Sequence, residues 1–258
     1  MLTIATWNVN SVKARMTNVL DWLREAGPDV VLFQETKTVD GEFPRLEFES
    51  MGYHIALCGQ KTYNGVAILS RRPILETSTR LPGDVQQGEA RYIEGVLEGG
   101  LRVASIYVPM GQSPESDRFP FKLNFLDGVY ERARELLPLE QPFVLGGDYN
   151  VAPEDGDVPD AQQMDGQILF HPEERARMRK LFHLGLTDAY RALNPEPHRY
   201  SWWDYRAGAW QQDHGLRIDH LLLSPQAADR LTESGIDRKP RGREKASDHT
   251  PVWCKLDL

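Results

Sequence analysis

The chain has 258 residues, 40% of them hydrophobic and 26% charged, enough to bury a sizeable core and ordinary for a soluble globular protein. Its formal net charge of -8 argues against a protein that coats nucleic acid non-specifically, while leaving room for a local basic face on an acidic body. Two cysteines, Cys58 and Cys254, form no disulfide framework and no CxxC pair for zinc. The start lacks the charged and apolar regions of a signal peptide, and no apolar run reaches transmembrane length, so a cytoplasmic protein without membrane contact is expected.

Leu2 to Trp7 predicts a strand ending at Asn8-Val9-Asn10. Ser11 can cap a helix reaching about Ala26, where Gly27-Pro28 stops it. Val30 to Phe33 is a second buried strand running into Gln34-Glu35, and a short helix is expected near Pro44 to Met51. Tyr53 to Leu57 and Gly65 to Leu69 read as strands, and Arg91 to Leu97 with Leu101 to Val108 as a hairpin turning at Glu98-Gly99-Gly100. Asp117 to Leu137 carries a helical apolar stripe. Phe143 to Leu145 is a buried strand opened by Gly146-Gly147 into Asp148-Tyr149-Asn150. Val151 to Gln167 reads as a surface loop, Pro172 to His183 as a basic helix, and Arg238 to Lys245 as a basic loop. Tyr200 to Tyr205, Ile218 to Leu223 and Val252 to Leu256 are the last expected strands. Strands outnumber long helices and neighbours resemble hairpins. That order predicts an α/β sandwich: two largely antiparallel sheets face to face, helices outside, in one domain over residues 1–258.

Six strand ends carry residues suited to chemistry: Asn8 and Asn10, Glu35, Tyr107, Asp148 and Asn150, Asp219, and Asp248-His249. Glu35 leaves a buried strand with Lys37 close by as a structural partner. Asn8, Glu35 and Asp248 are oxygen donors without thiolate, a set that suits Mg²⁺ or Mn²⁺ better than zinc. Asp219 is available to hold and charge His249, whereas strand alternation turns His220 to the other face as a packing residue.

These residues also carry a resemblance. The motifs Trp7-Asn8-Val9-Asn10, Gln34-Glu35, Gly147-Asp148-Tyr149-Asn150, Gly215-Leu216-Arg217-Ile218-Asp219 and Ser247-Asp248-His249-Thr250-Pro251-Val252 run in order along the whole chain. The chain resembles the exodeoxyribonuclease III and AP endonuclease family of the DNase I-like endonuclease/exonuclease/phosphatase superfamily. The resemblance implies a four-layered α/β sandwich and a Mg²⁺-dependent DNA-repair phosphodiesterase in which Mn²⁺ substitutes. Such an enzyme cleaves 5′ to abasic sites, removes 3′-blocking groups and acts as a 3′→5′ exonuclease on double-stranded DNA. It implies a metal held by Glu35 with Asn8, Asn10 and Asp248, and a water activated by Asp148 with Asn150. Tyr107 and His249, the latter oriented by Asp219, become phosphate ligands, and Trp202 and Leu216 the walls of a pocket for a base-free sugar.

One position departs from the family pattern. Met110 follows Tyr107-Val108-Pro109 where many members carry Asn or Gln, and it makes no strong hydrogen bond to phosphate. The loop from Gly111 to Arg118 offers Gln112, Ser113 or Arg118 as substitutes. Lys61, the helix from Arg175 to Lys180 and the loop from Arg238 to Lys245 are the expected cationic docking surfaces for duplex DNA with abasic sites or damaged 3′ ends. Of Trp202 and Trp203, alternation sends one to the core. A monomer is expected.

Overall fold

The first strand, β1 (Leu2–Asn8), already separates the layers of the molecule. Leu2 and Ile4 enter an inner apolar cluster with Val30, Leu32, Val66 and Val144. Ala5 and Trp7 face the other way, into an outer cluster with Trp22, Leu23 and Phe33. The period of two in the sequence therefore becomes two opposed surfaces of one sheet.

The computed structural model describes residues 1–258. After β1 come α1 (Met16–Ala26), β2 (Val30–Gln34), α2 (Arg45–Glu49), β3 (His54–Cys58), β4 (Val66–Ser70), β5 (Ile74–Ser78), β6 (Tyr92–Leu97) and β7 (Arg102–Tyr107). The second half holds α3 (Arg118–Leu136), β8 (Phe143–Asp148), α4 (Ala161–Met164), α5 (Pro172–His183), β9 (Thr187–Asp188) and α6 (Ala189–Leu193). It ends with β10 (Asp219–Leu223), α7 (Pro225–Ala228), β11 (Leu231–Ile236) and β12 (Val252–Leu256). The strands form two six-stranded sheets, β11-β12-β1-β2-β4-β3 and β5-β6-β7-β8-β10-β9. Each has one parallel pair at its centre, β1 with β2 and β7 with β8, among antiparallel neighbours.

The inner cluster draws on both sheets, with Ile4, Leu32 and Ile68 from one and Ile93, Val103 and Leu221 from the other. Each such side chain contributes about 1.5–3 kcal/mol when fully buried. The outer face of the first sheet is covered by α1 and α2 through Val19, Trp22 and Phe48. That of the second is covered by α3 and α5 through Phe125, Val129, Met178 and Leu181. The result is the expected four-layered α/β sandwich. No helix is long and apolar enough to cross a membrane.

Several local expectations change. Helix α1 begins at Met16 rather than just after Ser11, because the intervening chain is drawn toward the exit of β2: Ser11 N donates to Glu35 O at 2.7 Å and Val12 N to Thr36 O at 3.2 Å. Gly27 does end it, in the left-handed conformation. Tyr200 to Tyr205 is no strand. Trp202 alone makes bridges, to Leu216 and to His249, so this segment links two loops. The stretch from Val151 to Gln167 is only partly surface, since Val151, Ala152, Asp157 and Val158 have no exposure. The Asp157 carboxylate is turned inward onto Arg217 at 2.7 Å.

Candidate active site

The parallel pairs bring strand exits to one end of the sandwich. Register places Asn8 opposite Gln34, Tyr107 opposite Asp148, and Asp148 opposite Asp219. The end of β1, the end of β2, the end of β7, the end of β8 and the start of β10 thus meet at one level. Below them Gln34 Nε2 donates to Ser105 Oγ at 2.9 Å, and Ser105 Oγ donates to Phe33 O at 2.7 Å, so the sheets are joined by a buried polar floor. Within the second sheet, Gly147 lets β8 lie close against β7: a Cβ there would lie 1.9 Å from Ile106 O. Glu35, Lys37 and Asn150 all hold left-handed backbone without being glycine, with φ of 50°, 52° and 50°. Such strain persists where surrounding contacts over-determine it, often at functional sites.

Asp148 sits at the centre and is 1% exposed. Its Oδ1 accepts from Asn150 N at 2.9 Å, and its Oδ2 accepts from Asn8 Nδ2 at 2.9 Å. Asn8 also donates to Glu35 Oε1 at 2.8 Å. An amide between two carboxylates must turn its nitrogen toward both, so Asn8 is placed as a bridge and its oxygen accepts from Asn10 N at 3.0 Å. Burial, with Asp219 and Glu35 adding to it against the pull of His249 and Asn8, raises the Asp148 carboxyl to about 7.

His249 is equally buried. Its Nδ1 meets both oxygens of Asp219, at 2.9 and 3.1 Å, which leaves Nε2 facing Asp148 Oδ2 at 3.6 Å. Burial opposes charge on the ring, but Asp219 and Asp148 overcome it and raise the imidazolium to about 10. Asp219 in turn accepts from Ser201 Oγ at 2.6 Å. The site therefore pairs a carboxyl poised near neutrality with a fixed cation. Tyr107 stands beside them. Burial, then the Glu35 carboxylate, holds its phenol far above the usual range, so it is a neutral hydroxyl donor.

A chain of oxygens runs along the rim. Glu35 Oε2 meets Lys37 Nζ at 2.9 Å, Lys37 Nζ donates to Asn10 Oδ1 at 2.6 Å, and Asn10 Nδ2 donates to Asp248 Oδ1 at 3.0 Å. Burial works against ionisation of Glu35 and Asp248, yet both stay below the ordinary carboxylate range, Glu35 through Lys37 and Asp248 through His249 and Trp202. One ionised carboxylate and an amide oxygen already meet one cation, with the second ionised carboxylate, Asp248, on the other side of Asn10, and oxygen donors of this kind suit a hard divalent ion. The compact triad of Asp148, Asp219 and His249, with ligand atoms within 4.8 Å of one another, fits one less well, because the imidazolium is already its cation.

Trp202 and Leu216 pair across an isolated bridge, and the Trp202 ring centre lies 6.5 Å from that of His249. Trp202 is half-buried with Nε1 donating to Asp248 Oδ2 at 3.0 Å, while Trp203 is fully buried. One tryptophan at the site and one in the core is the division that alternation predicts. His220 is enclosed, accepting no role at the cleft, with Nε2 against Val151 O at 2.9 Å. Lys61 is exposed in the β3–β4 loop, and the Gln34–Val66 register puts that loop at the same sheet end as Glu35. Gln112 is exposed and Met110 is 49% exposed in the loop after β7.

Much of the expected docking charge is spent internally. Arg175 is held by Asp155, and Arg177 by Asp127 and Glu173. Arg238 is held by Asp213, while Lys239 and Arg243 share Glu25. Two contributors are not evident from the sequence. Ser201 stands there only as part of an aromatic run. Lys122, fully buried, donates from Nζ to Asn150 O at 2.6 Å and Met110 O at 3.1 Å. Its one signal is a lysine on the apolar stripe of α3, three residues before Phe125 and four before Leu126.

The chain belongs to the Endonuclease/Exonuclease/phosphatase family, whose model matches residues 5–249. Within that family it falls in the exodeoxyribonuclease III and AP endonuclease branch, and it is a phosphodiester hydrolase. It is 34% identical over 97% of its length to exodeoxyribonuclease III of Haemophilus influenzae, covering 98% of that protein. It is 29% identical over 99% of its length to DNA repair nuclease APEX1 of Danio rerio, covering 82% of it. Among solved structures, 3′ phosphatase NExo from Neisseria bound to a product DNA hairpin matches with a TM-score of 0.96, and an AP endonuclease from Archaeoglobus fulgidus with 0.95. Both are 36% identical, with full coverage of each chain.

Proposed function

We propose that residues 1–258 act as one catalytic domain of a Mg²⁺-dependent DNA-repair hydrolase. It cleaves the backbone 5′ to abasic sites, removes 3′-blocking groups and degrades double-stranded DNA from the 3′ end. The observation that carries this reading is the buried Asp148 carboxyl, raised to about 7, facing the His249 imidazolium at 3.6 Å.

Hydrolysis needs an acceptor for the proton of the attacking water and positive charge on the phosphoryl oxygens. Asp148 takes the proton, held in orientation by Asn150 and Asn8. His249, fixed by Asp219, presents Nε2–H to a phosphoryl oxygen, and Tyr107 donates a second hydrogen bond. Glu35 and Asp248, with Asn8 and Asn10, would hold the magnesium at the place where Lys37 meets Glu35 and Asn10, and Mn²⁺ would substitute. The bound metal supplies further positive charge to the phosphate. Trp202 and Leu216 wall the pocket for a sugar without a base, which is cheap to extrude because no stacking is lost. Lys61 and Gln112 contact the backbone on either side, Gln112 in place of the side chain that Met110 lacks. The enzyme works as a monomer in the cytoplasm.

The test is one digestion series with and without chelator, on duplexes carrying an internal abasic analogue, a 3′-phosphate and a recessed 3′ end. Metal-dependent cleavage of the abasic and 3′-phosphate duplexes is expected. No cleavage of any duplex in Mg²⁺ or Mn²⁺ would reject the reading.

A further inference from the structure

Most of the lysines and arginines near the site are neutralised by carboxylates, but three that are not converge on one cleft. A cavity of about 420 Å³ is lined by Arg15, Arg241, Arg243 and Lys245 together with Tyr205, and no carboxylate lines it. Arg243 has Glu25 at 2.9 Å. Arg15, Arg241 and Lys245 make no ion pair, and Asp248 acts on Arg241 only from further away. This occurs in a chain whose net charge is -8, where acidic partners are not scarce.

Arg241 is the informative member. It is 8% exposed, with Nη2 donating to Trp203 O at 3.1 Å. Its guanidinium lies over the rings of Tyr205 and Trp210, at 5.3 and 5.4 Å. The Nε atoms of both Arg15 and Arg241 are buried without an acceptor. Burying a guanidinium without an anion is unfavourable, and aromatic faces offset only part of that cost. An arrangement with several donors, no anion and an opening to solvent suits an anion that arrives with a ligand. Guanidinium forks match the oxygens of a phosphate.

The cavity adjoins the rim described above through a single side chain. Tyr205 Oη accepts from Arg15 Nη2 at 3.2 Å and from Asn10 Nδ2 at 3.4 Å, and donates to Ala246 O at 2.8 Å. Asn10 in turn reaches Asp248. An anion in the cavity is therefore one tyrosine away from the proposed metal site.

We infer that this cavity is a subsite for a backbone phosphate of the bound DNA, neighbouring the phosphate that is hydrolysed; the inference rests on the DNA-hydrolase reading above. Arg241 and Arg15 grip the phosphate, Lys245 adds charge at the mouth, and Tyr205 ties its occupancy to the position of Asn10.

The experiment measures equilibrium binding of a fluorescent abasic-analogue duplex in chelator, over a series of salt concentrations. Removing one cation that neutralises a phosphate should flatten the slope of log K against log salt by about 0.9. Lys245→Met and Arg241→Met should each flatten it by about that amount and the double variant by about twice as much, with folding checked by circular dichroism. Arg241→Lys, which keeps the charge but loses the fork, should keep the slope and lose several-fold in affinity. Arg230→Met is the control: it removes the same charge just before β11, at the sheet end opposite to Asn8, and should leave the slope as in wild type. Lys245 is exposed, so its variant decides the matter even if Arg241→Met does not fold. A wild-type slope in Lys245→Met, together with wild-type affinity in Arg241→Lys, would overturn the subsite. Tight calorimetric binding of inorganic phosphate alone, abolished in Lys245→Met while the duplex slope stays unchanged, would assign the cavity to a free phosphate and overturn it too. Cleavage by the wild type tests the hydrolase reading separately, since binding in chelator does not require turnover.

Discussion

Lys122 and Glu174 form an ion pair with no exposure, one from α3 and one from α5. The ammonium also holds the carbonyls of Asn150 and Met110, so it ties the loop after β8 to the loop after β7. Glu174 Oε2 meanwhile accepts from His171 N at 3.0 Å and caps α5. Lys122→Met keeps the length of the side chain but strands a buried carboxylate. Breaking a buried pair from one side costs about 3–5 kcal/mol. Lys122→Met/Glu174→Gln removes that stranded charge and should recover on the order of 2 kcal/mol, within the usual range of coupling between contacting residues. Turnover should not recover with it. The Asn150 carbonyl still lacks its donor, and Asn150 N is what orients Asp148 at 2.9 Å. Misplacement of catalytic groups by about 1 Å costs roughly 100-fold. Urea denaturation gives the stabilities, and single-turnover cleavage of an abasic duplex gives the rate. A double variant no more stable than Lys122→Met would refute the ion-pair argument. A stable double variant with wild-type turnover would refute the positioning role.

Other expected outcomes follow from the same geometry. Glu35→Gln should lower Mg²⁺-supported cleavage by orders of magnitude with partial recovery at high Mn²⁺; an unchanged metal titration would place the ion elsewhere. Trp202→Ala should reduce kcat/KM for abasic nicking more than for 3′-phosphate removal, because only the former needs the apolar wall; equal losses in a folded variant would make Trp202 structural. Asp188 is opposed by burial but held far below the ordinary carboxylate range by Arg217, at 2.6 Å, and His220. A depressed carboxylate stabilises fully above its unfolded value of about 3.9 and loses that contribution as pH falls below it. Asp188→Asn should therefore cost about 3 kcal/mol at pH 7 and progressively less below pH 4, measured by denaturation across pH. A gap that stays constant with pH would contradict this.

The central strands and the residues at their exits are legible in the sequence because two-sided burial writes itself as unbroken apolar runs such as Val30 to Phe33 and Phe143 to Leu145. The elements that escape lie at edges. β5 and β11 contain no buried residue and mix polar with apolar residues, so no period marks them. The matched pattern of the two sheets is invisible for a different reason: strand pairing repeats while residues do not. At the site, the pairing of Asp219 with His249 follows from charge and is legible without coordinates. The roles of Lys122 and Ser201 are not, because each depends on contacts between segments distant in sequence. The interior of the Val151–Gln167 loop is hidden for the same reason: Asp157 resembles a turn residue until Arg217 is brought against it.

The measurement that bears most directly on the catalytic assignment is Asp148→Asn, assayed for binding and for single-turnover cleavage of the same abasic duplex in Mg²⁺. The substitution preserves shape and removes the proton acceptor. The rate should fall by at least roughly 10²–10⁴-fold, the usual contribution of a general base. Affinity should stay within a few-fold of wild type, or tighten as a negative charge beside the phosphate is removed. A variant that cleaves at the wild-type rate, or one that loses binding and rate by the same factor, would contradict it.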